Sequence, residues 1–470
     1  MSGRTLGEVA AVTGGSVDAE AAAIEYGSVS IDSRNTRPGD LFVAIRGERS
    51  DGHRFVRETL DAGAAGALVQ KGAPIDGRPE DRLVEVDDTR AALLELARAA
   101  RSTLPAAVVG ITGSTGKTCT KDMTTAVLKQ RFKVVASRAS FNNEVGLPLT
   151  ILEAGDDTDV IVCEMGSRGP GHIRLLCDVA RPHVGVVTNV GVAHMELFGS
   201  PEVLRAAKRE LPEALPHDGA AVLNADDPVV KGYASHTNAK PVFFGRSDDA
   251  EVRAERIELS RQTGKATFRL VTPSGSAPVA LPVPGEHMVP NALAAAAVGA
   301  VLGVTADETA KGLAGAHVSG SRMDVFKTRD GMTVVDDSYN ANPTSMSAAL
   351  RAARWMAGDG RCIAVLGTMA ELGPISMEEH ERIGELLVRL GIDDLVTVGE
   401  EARLIAAGAE REGLEPQHIQ VCDDVSQALW AVRSLARPGD LVLVKASRAA
   451  GLERLAEALR SDQAAVESAP

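Results

Sequence analysis

Short apolar runs that stop at a small or polar residue recur along this 470-residue chain. Between Pro105 and about residue 318 they read AAVVGITG, DVIVCEMG, HVGVVTNVG and AAVLNADD, and amphipathic stretches such as GKTCTKDMTTAVLKQRF and SPEVLRAAKRELPEAL lie between several of them. Strands that are apolar on both faces and alternate with amphipathic helices predict a parallel sheet covered on both sides, with ligands collecting at the carboxyl ends of the strands. Residues 1–104 carry shorter runs of the same kind (SVSIDS, DLFVAI, GALVQ, RLVEV) and a helical stretch, TRAALLELARAARSTL. From about 250 to 284 the pattern predicts a small antiparallel excursion, followed by the helix NALAAAAVGAVLG. A third block from Ser319 (TVVDDSY, RCIAVLGT, DDLVTVGE, IQVCDD, DLVLVKAS) is again doubly wound, without a G-x-G-x-x-G fingerprint. The predicted fold is α/β in three domains, 1–104, 105–318 and 319–470, which suits a chain too long for one core.

Composition narrows the function. Hydrophobic content of 44% and charged content of 24% are those of an ordinary globular protein. Lys and Arg number 50 against 64 Asp and Glu, so the net charge is −14, and aromatic residues make up only 3%. A nucleic-acid binder would need a basic footprint or a stacking platform, and neither is present. No apolar run reaches the length of a membrane span and the N-terminus lacks a signal-type apolar core, so a cytoplasmic protein is expected. The five cysteines are scattered without a C-x-x-C pair, which predicts reduced structural thiols and argues against a zinc site. The tail SDQAAVESAP is expected to be disordered.

The chemistry begins at residues 112–118, T-G-S-T-G-K-T, between an apolar strand and a helix. Amides of Gly113, Ser114, Thr115 and Gly116 can approach phosphate oxygens at the helix N-terminus, Lys117 can neutralise phosphate charge, and the Thr118 hydroxyl can ligate Mg²⁺. The strict count of a phosphate loop asks for glycine at 111, where this chain has Ile111. Glu164 follows the run DVIVC, His194 closes VGVVTNVGVAH, and Lys208 lies on the next helix. A carboxylate and an imidazole at the mouth of the same sheet could hold a metal beside a triphosphate. Taken singly, a histidine there is as readily structural, and a lysine on a helix a solvated face.

In order, TGSTGKT, SFNNEVGLPLTIL, EMGSRGPGHI, TNVGVAHMELFGS and AAKRE closely resemble the central domain of the Mur ligase family. SGSRMDV, DDSYNANPTSM, AVLGTMAELG and LVKASRAAGLE extend the match through the third block, and SIDSRNTRPGDLFVAIRGERSDGHRFV into the first, so it spans roughly residues 28–455. The resemblance implies an N-terminal domain that grips a UDP-sugar, a central ATP-binding domain of the P-loop type, and a Rossmann-like C-terminal domain that binds the amine and part of ATP. SFNNEVGLPL, DDSYNANP and LGTMAELG resemble those of the member that joins D-alanyl-D-alanine to UDP-N-acetylmuramoyl-tripeptide in peptidoglycan precursor synthesis.

Carried over residue by residue, the resemblance implies that Lys117 and the loop amides hold the phosphates. Thr118 and Glu164 would hold Mg²⁺, His194 would help bind a second, and Lys208 matches a lysine that is carbamylated in the family. Asn291, Arg322, Asp337, Tyr339 and Asn340 are implied for adenine and ribose, and Lys445, Ser447 and Arg448 for the carboxylate end of the amine substrate. Ser33, Arg34 and the DGHRF stretch are implied for the UDP end, and Asn142 and Asn143 for the muramoyl-peptide, although paired asparagines are equally at home in a turn. A monomer is expected. The chain departs from the family pattern at Met288, where Asn is more usual, at Ala446, where Gly is, and at Thr368, where an acid is common. Those changes fall on the nucleotide-facing helix and the acceptor side, so a related ligase joining another carboxylate and amine stays open, whereas Lys117, Thr118, Glu164, His194 and Lys208 together argue against a nucleotide-binding regulator without turnover.

Overall fold

The computed structural model describes residues 4–47, 50–75, 82–138, 140–191 and 195–461. Three sheets carry the fold. In the first, Val29–Ser30, Leu41–Val43, Gly66–Gln70 and Leu83–Val86 lie side by side in chain order, all parallel. The expected helix is observed as Thr89–Thr103, with the Asp88 carboxylate accepting from the N–H groups of Arg90 and Ala91 at its start. A further helix, Leu6–Thr13, opens the chain on a capping box between Thr5 and Glu8. The apolar face of Thr89–Thr103 (Leu93, Leu96, Ala97) shares a core with Leu147, Ile151, Ile173 and Leu176, so the first sheet is docked onto the second through its helix.

The second sheet has nine strands. Ala107–Thr112 is central, with Val160–Glu164 and then Val134–Ala136 on one side, and Val184–Val187, Ala220–Asn224 and Lys240–Gly245 on the other, all parallel. The order therefore reverses at Ala107–Thr112, and a crevice opens at its carboxyl end. The antiparallel excursion is present as Val252–Leu259, Lys265–Thr272 and Gly275–Pro284, and it is part of this sheet: Val252–Leu259 pairs parallel with Lys240–Gly245 and antiparallel with Lys265–Thr272. The helix Met288–Val301, almost entirely alanine and aliphatic on its buried side, packs between this sheet and the helix Lys117–Leu128.

The third sheet runs Asp324–Lys327, Thr333–Asp336, Leu441–Lys445, Cys362–Gly367, Asp394–Val398 and Ile419–Cys422, antiparallel only between the first two. The carboxyl ends of Thr333–Asp336, Leu441–Lys445 and Cys362–Gly367 face the crevice of the second sheet. All five cysteines are buried free thiols. Among the described residues no helix is long and apolar enough to cross a membrane. Residues 462–470 of the tail lie outside the described residues.

Candidate active site

The strand Ala107–Thr112 delivers the chain into the loop, and Ile111 within it is fully buried. The position where a strict phosphate loop has glycine is thus a core residue of the strand, and the loop proper starts at Gly113. Two glycines are needed there by contact. A Cβ at Gly113 would lie 2.0 Å from Thr188 Oγ1, and one at Gly116 (φ 80°) would lie 2.3 Å from Asn291 Oδ1. Glycine lets the loop sit close to both neighbours and keep its amides free of side-chain cover. Lys117 curls back, donating from Nζ to Gly113 O (2.7 Å) and Ser114 O (3.3 Å). Burial lowers its pKa; the Glu164 carboxylate opposes that shift and the Arg322 guanidinium adds to it.

Glu164 ends its strand 1% exposed. Its Oε1 accepts from Asn142 Nδ2 at 2.9 Å, whereas Oε2 is buried with no hydrogen-bond partner among the described residues. An orphaned carboxylate oxygen beside a lysine and a threonine hydroxyl is a vacant acceptor that a hard divalent cation fits, and Mg²⁺ takes such oxygens. Glu164 and Thr118 can contribute to that ion; His194, the third candidate, lies outside the described residues, and among those described no cluster of three His, Cys, Asp or Glu forms. Thr118 Oγ1 already accepts from Arg322 Nη2 at 3.1 Å, which leaves its second lone pair for a metal.

Lys208, on the helix Pro201–Glu213, is 1% exposed and makes no hydrogen bond to a described residue; its ammonium position lies 6.0 Å from the centre of the Phe198 ring. Burial pushes its pKa well below the ordinary lysine value, and the charge of Lys117 adds to the shift. The reading of Lys208 taken singly, a charged helix residue facing water, does not hold, because the side chain is buried.

The third domain closes the other wall. The Arg322 guanidinium stacks on the Tyr339 ring at 3.7 Å, with Arg448 at 5.4 Å from the same ring, and Tyr339 Oη hydrogen-bonds Ser140 Oγ across the cleft. Lys445 Nζ, buried, pairs with Asp337 Oδ2 at 2.6 Å and donates to Asn340 O at 2.9 Å. Ser447 Oγ donates to Ala341 O and accepts from Ala370 N. A cleft of about 1010 Å³ is lined by all of these groups. It brings together Ser114, Thr115, Gly116, Lys117, Thr118, Asn142, Asn143, Glu164, Lys208, Asn291, Arg322, Asp337, Tyr339, Asn340, Lys445, Ser447 and Arg448.

Some expectations acquire a different meaning. Asn143 Oδ1 accepts from Val145 N and Gly146 N, so it shapes the start of the helix Gly146–Glu153 while lining the cleft. Ser33 and Arg34 are not in this cleft: they form a one-turn helix after the first strand, where Arg34 is 85% exposed and held bidentately by Asp32, whose pKa this contact lowers to about 2. In DGHRF, His53 is buried with both ring nitrogens engaged, Nδ1 to Asp51 and Nε2 accepting from Gln70 N, which fixes a turn and leaves no ring nitrogen for a ligand. Sequence reasoning missed Arg168, His172, Asn189 and Glu371, which also line the cleft. All four belong to stretches that carry the resemblance: Arg168 and His172 to EMGSRGPGHI, Asn189 to TNVGVAHMELFGS and Glu371 to AVLGTMAELG.

A phosphate loop, an unsatisfied carboxylate and two buried lysines between two domains define an ATP-dependent ligase site, and the comparisons agree. Residues 25–101 match the Mur ligase family catalytic domain, 111–299 the Mur ligase middle domain, and 321–448 the Mur ligase glutamate ligase domain. The chain belongs to the Mur ligase family. Within the family its similarity is to the MurF ligases. The UDP-N-acetylmuramoyl-tripeptide--D-alanyl-D-alanine ligase of Mycobacterium tuberculosis (strain H37Rv) is 42% identical over 500 residues, covering 97% of this chain and 98% of that protein. A crystal structure of MurF from Acinetobacter baumannii superposes with a TM-score of 0.85 at 30% identity, over 98% and 99% of the two chains. MurF from Thermotoga maritima in complex with ADP gives 0.78 at 30% identity, over 93% and 97%.

Proposed function

We propose that this enzyme joins D-alanyl-D-alanine to UDP-N-acetylmuramoyl-tripeptide, with hydrolysis of ATP to ADP and phosphate, as a step of peptidoglycan precursor synthesis. The observation that carries the reading is the single cleft in which phosphate loop, Glu164, Lys208 and the Lys445–Asp337 pair meet, in a chain whose similarity to MurF ligases covers its full length.

A carboxylate is a poor electrophile, so it must be activated before an amine can attack. In the first step a carboxylate oxygen of the tripeptide bonds to the γ-phosphorus of ATP and the bond to ADP breaks, giving an acyl phosphate. In the second the amine of D-alanyl-D-alanine bonds to the acyl carbon, the bond from that carbon to the phosphate oxygen breaks, and the amine loses a proton. Both steps depend on position and on neutralising charge. Lys117 would exchange its two loop carbonyls for phosphate oxygens, and the amides of residues 113–118 would cradle the β-phosphate. Thr118 and Glu164 would hold Mg²⁺, with His194 helping to bind a second ion, and such an ion would supply charge neutralisation. Burial pushes the Lys208 amine toward its neutral form, the form that reacts with carbon dioxide; carbamylation would place an anion in this pocket to support the metal. Asn291, Arg322, Asp337, Tyr339 and Asn340 would contact base and ribose, Lys445, Ser447 and Arg448 the carboxylate of the incoming amine, and Asn142 and Asn143 the muramoyl-peptide. Ser33 and Arg34 are assigned to the UDP end, outside the main cleft. The units 1–104, 105–318 and 319–470 act as three domains in a cytoplasmic monomer.

Phosphate release from ATP is measured with UDP-N-acetylmuramoyl-tripeptide and a panel of amines. Release that is fastest with D-alanyl-D-alanine and yields the pentapeptide nucleotide is expected. No turnover of the tripeptide nucleotide with any amine would refute the assignment, and preference for another amine would move it to a related ligase.

A further inference from the structure

The segment Thr368–Gly373 leaves the carboxyl end of Cys362–Gly367, and its Ala370 and Glu371 line the cleft. It is tied to the acceptor wall twice: Ser447 N donates to Thr368 O (2.9 Å), and Ala370 N donates to Ser447 Oγ (2.8 Å). It also reaches the central domain. Glu371 takes a left-handed backbone (φ 64°) that residues other than glycine rarely adopt, and in that shape its carbonyl accepts from Glu196 N at 3.1 Å. Next to it Gly373 packs so closely that a Cβ there would lie 3.0 Å from Glu196 Cα. The segment is therefore a backbone bridge between the two halves of the cleft.

Beneath it sits His380, fully buried on the helix Ser376–Arg389. Its Nε2 lies 2.9 Å from Met369 N, and its Nδ1 lies 2.7 Å from Ser376 O, with Ser376 Oγ at 3.3 Å. The amide of Met369 can only donate, so Nε2 must offer a lone pair. The carbonyl of Ser376 can only accept, so Nδ1 carries the proton. Geometry thus requires the neutral imidazole. A second proton would set an N–H against the N–H of Met369.

We propose that His380 is a positioning residue for amide formation: as a neutral imidazole it holds Thr368–Gly373 in the strained shape that bridges the domains, and its protonation releases the bridge. The proposal rests on the ligase reading for its kinetic consequence. The charged groups that face His380 are Glu379 on its own helix, itself paired with Arg382 at 3.2 Å, and Glu401 from the turn before the helix Arg403–Glu412. Both favour the imidazolium, yet burial outweighs them and lowers the pKa below the ordinary histidine value. Above that ordinary value the ring is neutral folded or unfolded and the bridge is intact. As the pH falls through the folded value, the bridge is lost.

The experiment uses the full chain with His380→Phe, which fills the space without hydrogen bonding, and His380→Gln, which can accept from Met369 but does not titrate near neutrality. Turnover and backbone hydrogen exchange of the 367–375 segment are followed against pH. In the wild type, kcat and the protection of the segment against exchange, relative to the intrinsic rate at each pH, should both fall on the acid side. His380→Phe should lower kcat about 10- to 100-fold at all pH values, with KM for the UDP-sugar substrate little changed. His380→Gln should recover much of kcat and lose the acid step. An unchanged kcat in His380→Phe, or an acid step retained in His380→Gln, overturns the proposal. Exchange in the free protein decides it independently of turnover: if protection of the segment is indifferent to pH and to both substitutions, His380 does not anchor it. If His380→Phe does not fold, His380→Gln carries the test. Absence of wild-type turnover would count against the ligase reading alone.

Discussion

The buried pair between Lys445 and Asp337 offers a stability test that does not depend on the reaction. Nζ and Oδ2 are 2.6 Å apart, with side-chain exposures of 2% and 12%. At that separation two unit charges attract by about 6 kcal/mol if the effective dielectric is about 20. Withdrawal of both from water offsets most of this, so the pair adds little net stability, whereas removing one partner strands the other. The partners are not equivalent. Without the Asp337 carboxylate, the ammonium keeps among the described residues only the carbonyls of Asn340 (2.9 Å) and of residue 337 (3.4 Å). Without Lys445, the carboxylate still accepts from Met323 N at 3.1 Å and reaches water. Asp337→Ala should therefore cost about 3–5 kcal/mol, Lys445→Met less, and the double substitution less than the sum, with a coupling of about 2 kcal/mol or more. Urea unfolding followed by tryptophan fluorescence reads this domain directly, because both tryptophans of the chain, Trp355 and Trp430, lie in the third block. Single changes below about 1 kcal/mol, or additive free energies, would refute the reasoning.

Lys117→Ala should leave the fold intact and lower ligase turnover at least about 100-fold, since a charge on the transferring phosphoryl group is lost; near-normal turnover would sink the loop assignment. Glu164→Gln should raise the Mg²⁺ concentration for half-maximal turnover without lowering the melting temperature, because Oε2 has no described partner to lose; an unchanged Mg²⁺ titration would remove Glu164 from the metal site. Stripping carbon dioxide should reduce turnover and bicarbonate should restore it, because burial pushes the Lys208 pKa well down, toward the reactive free amine; indifference to carbon dioxide would exclude the carbamate. Gly367→Ala should destabilise the third domain by about 1–3 kcal/mol, because the new Cβ would lie 2.7 Å from Ala446 Cβ. Ala446→Gly in the same chain should recover most of that loss; equal melting of single and double variants would contradict the packing.

What was legible in the sequence is what local chemistry dictates. The strand, loop and helix around Lys117 could be read because phosphate binding needs those residues at that spacing, and Ile111 fails the strict pattern because the strand continues through residues 111 and 112. Pairing between distant segments was not legible. Nothing local says that Val252–Leu259 would extend the central sheet in parallel before the chain turned antiparallel. Side-chain roles blurred for the same reason: Asn143 and His53 have polar groups that a ligand could use, and the folded chain spends them on backbone amides and, for His53 Nδ1, on the Asp51 carboxylate. Two missed features had signals. Thr5 and Glu8 are spaced as a capping box, which announces the first helix. His380 occupies the apolar register of its helix with Ile383 and Leu387, all of them buried. A histidine in a core register has to satisfy two ring nitrogens away from water, so it marks a backbone segment that needs holding. Here that segment, Thr368–Gly373, joins the ends of the third sheet to the central domain, and the strand-end geography that positions Lys445 and Asp337 also decides where the two halves of the cleft meet.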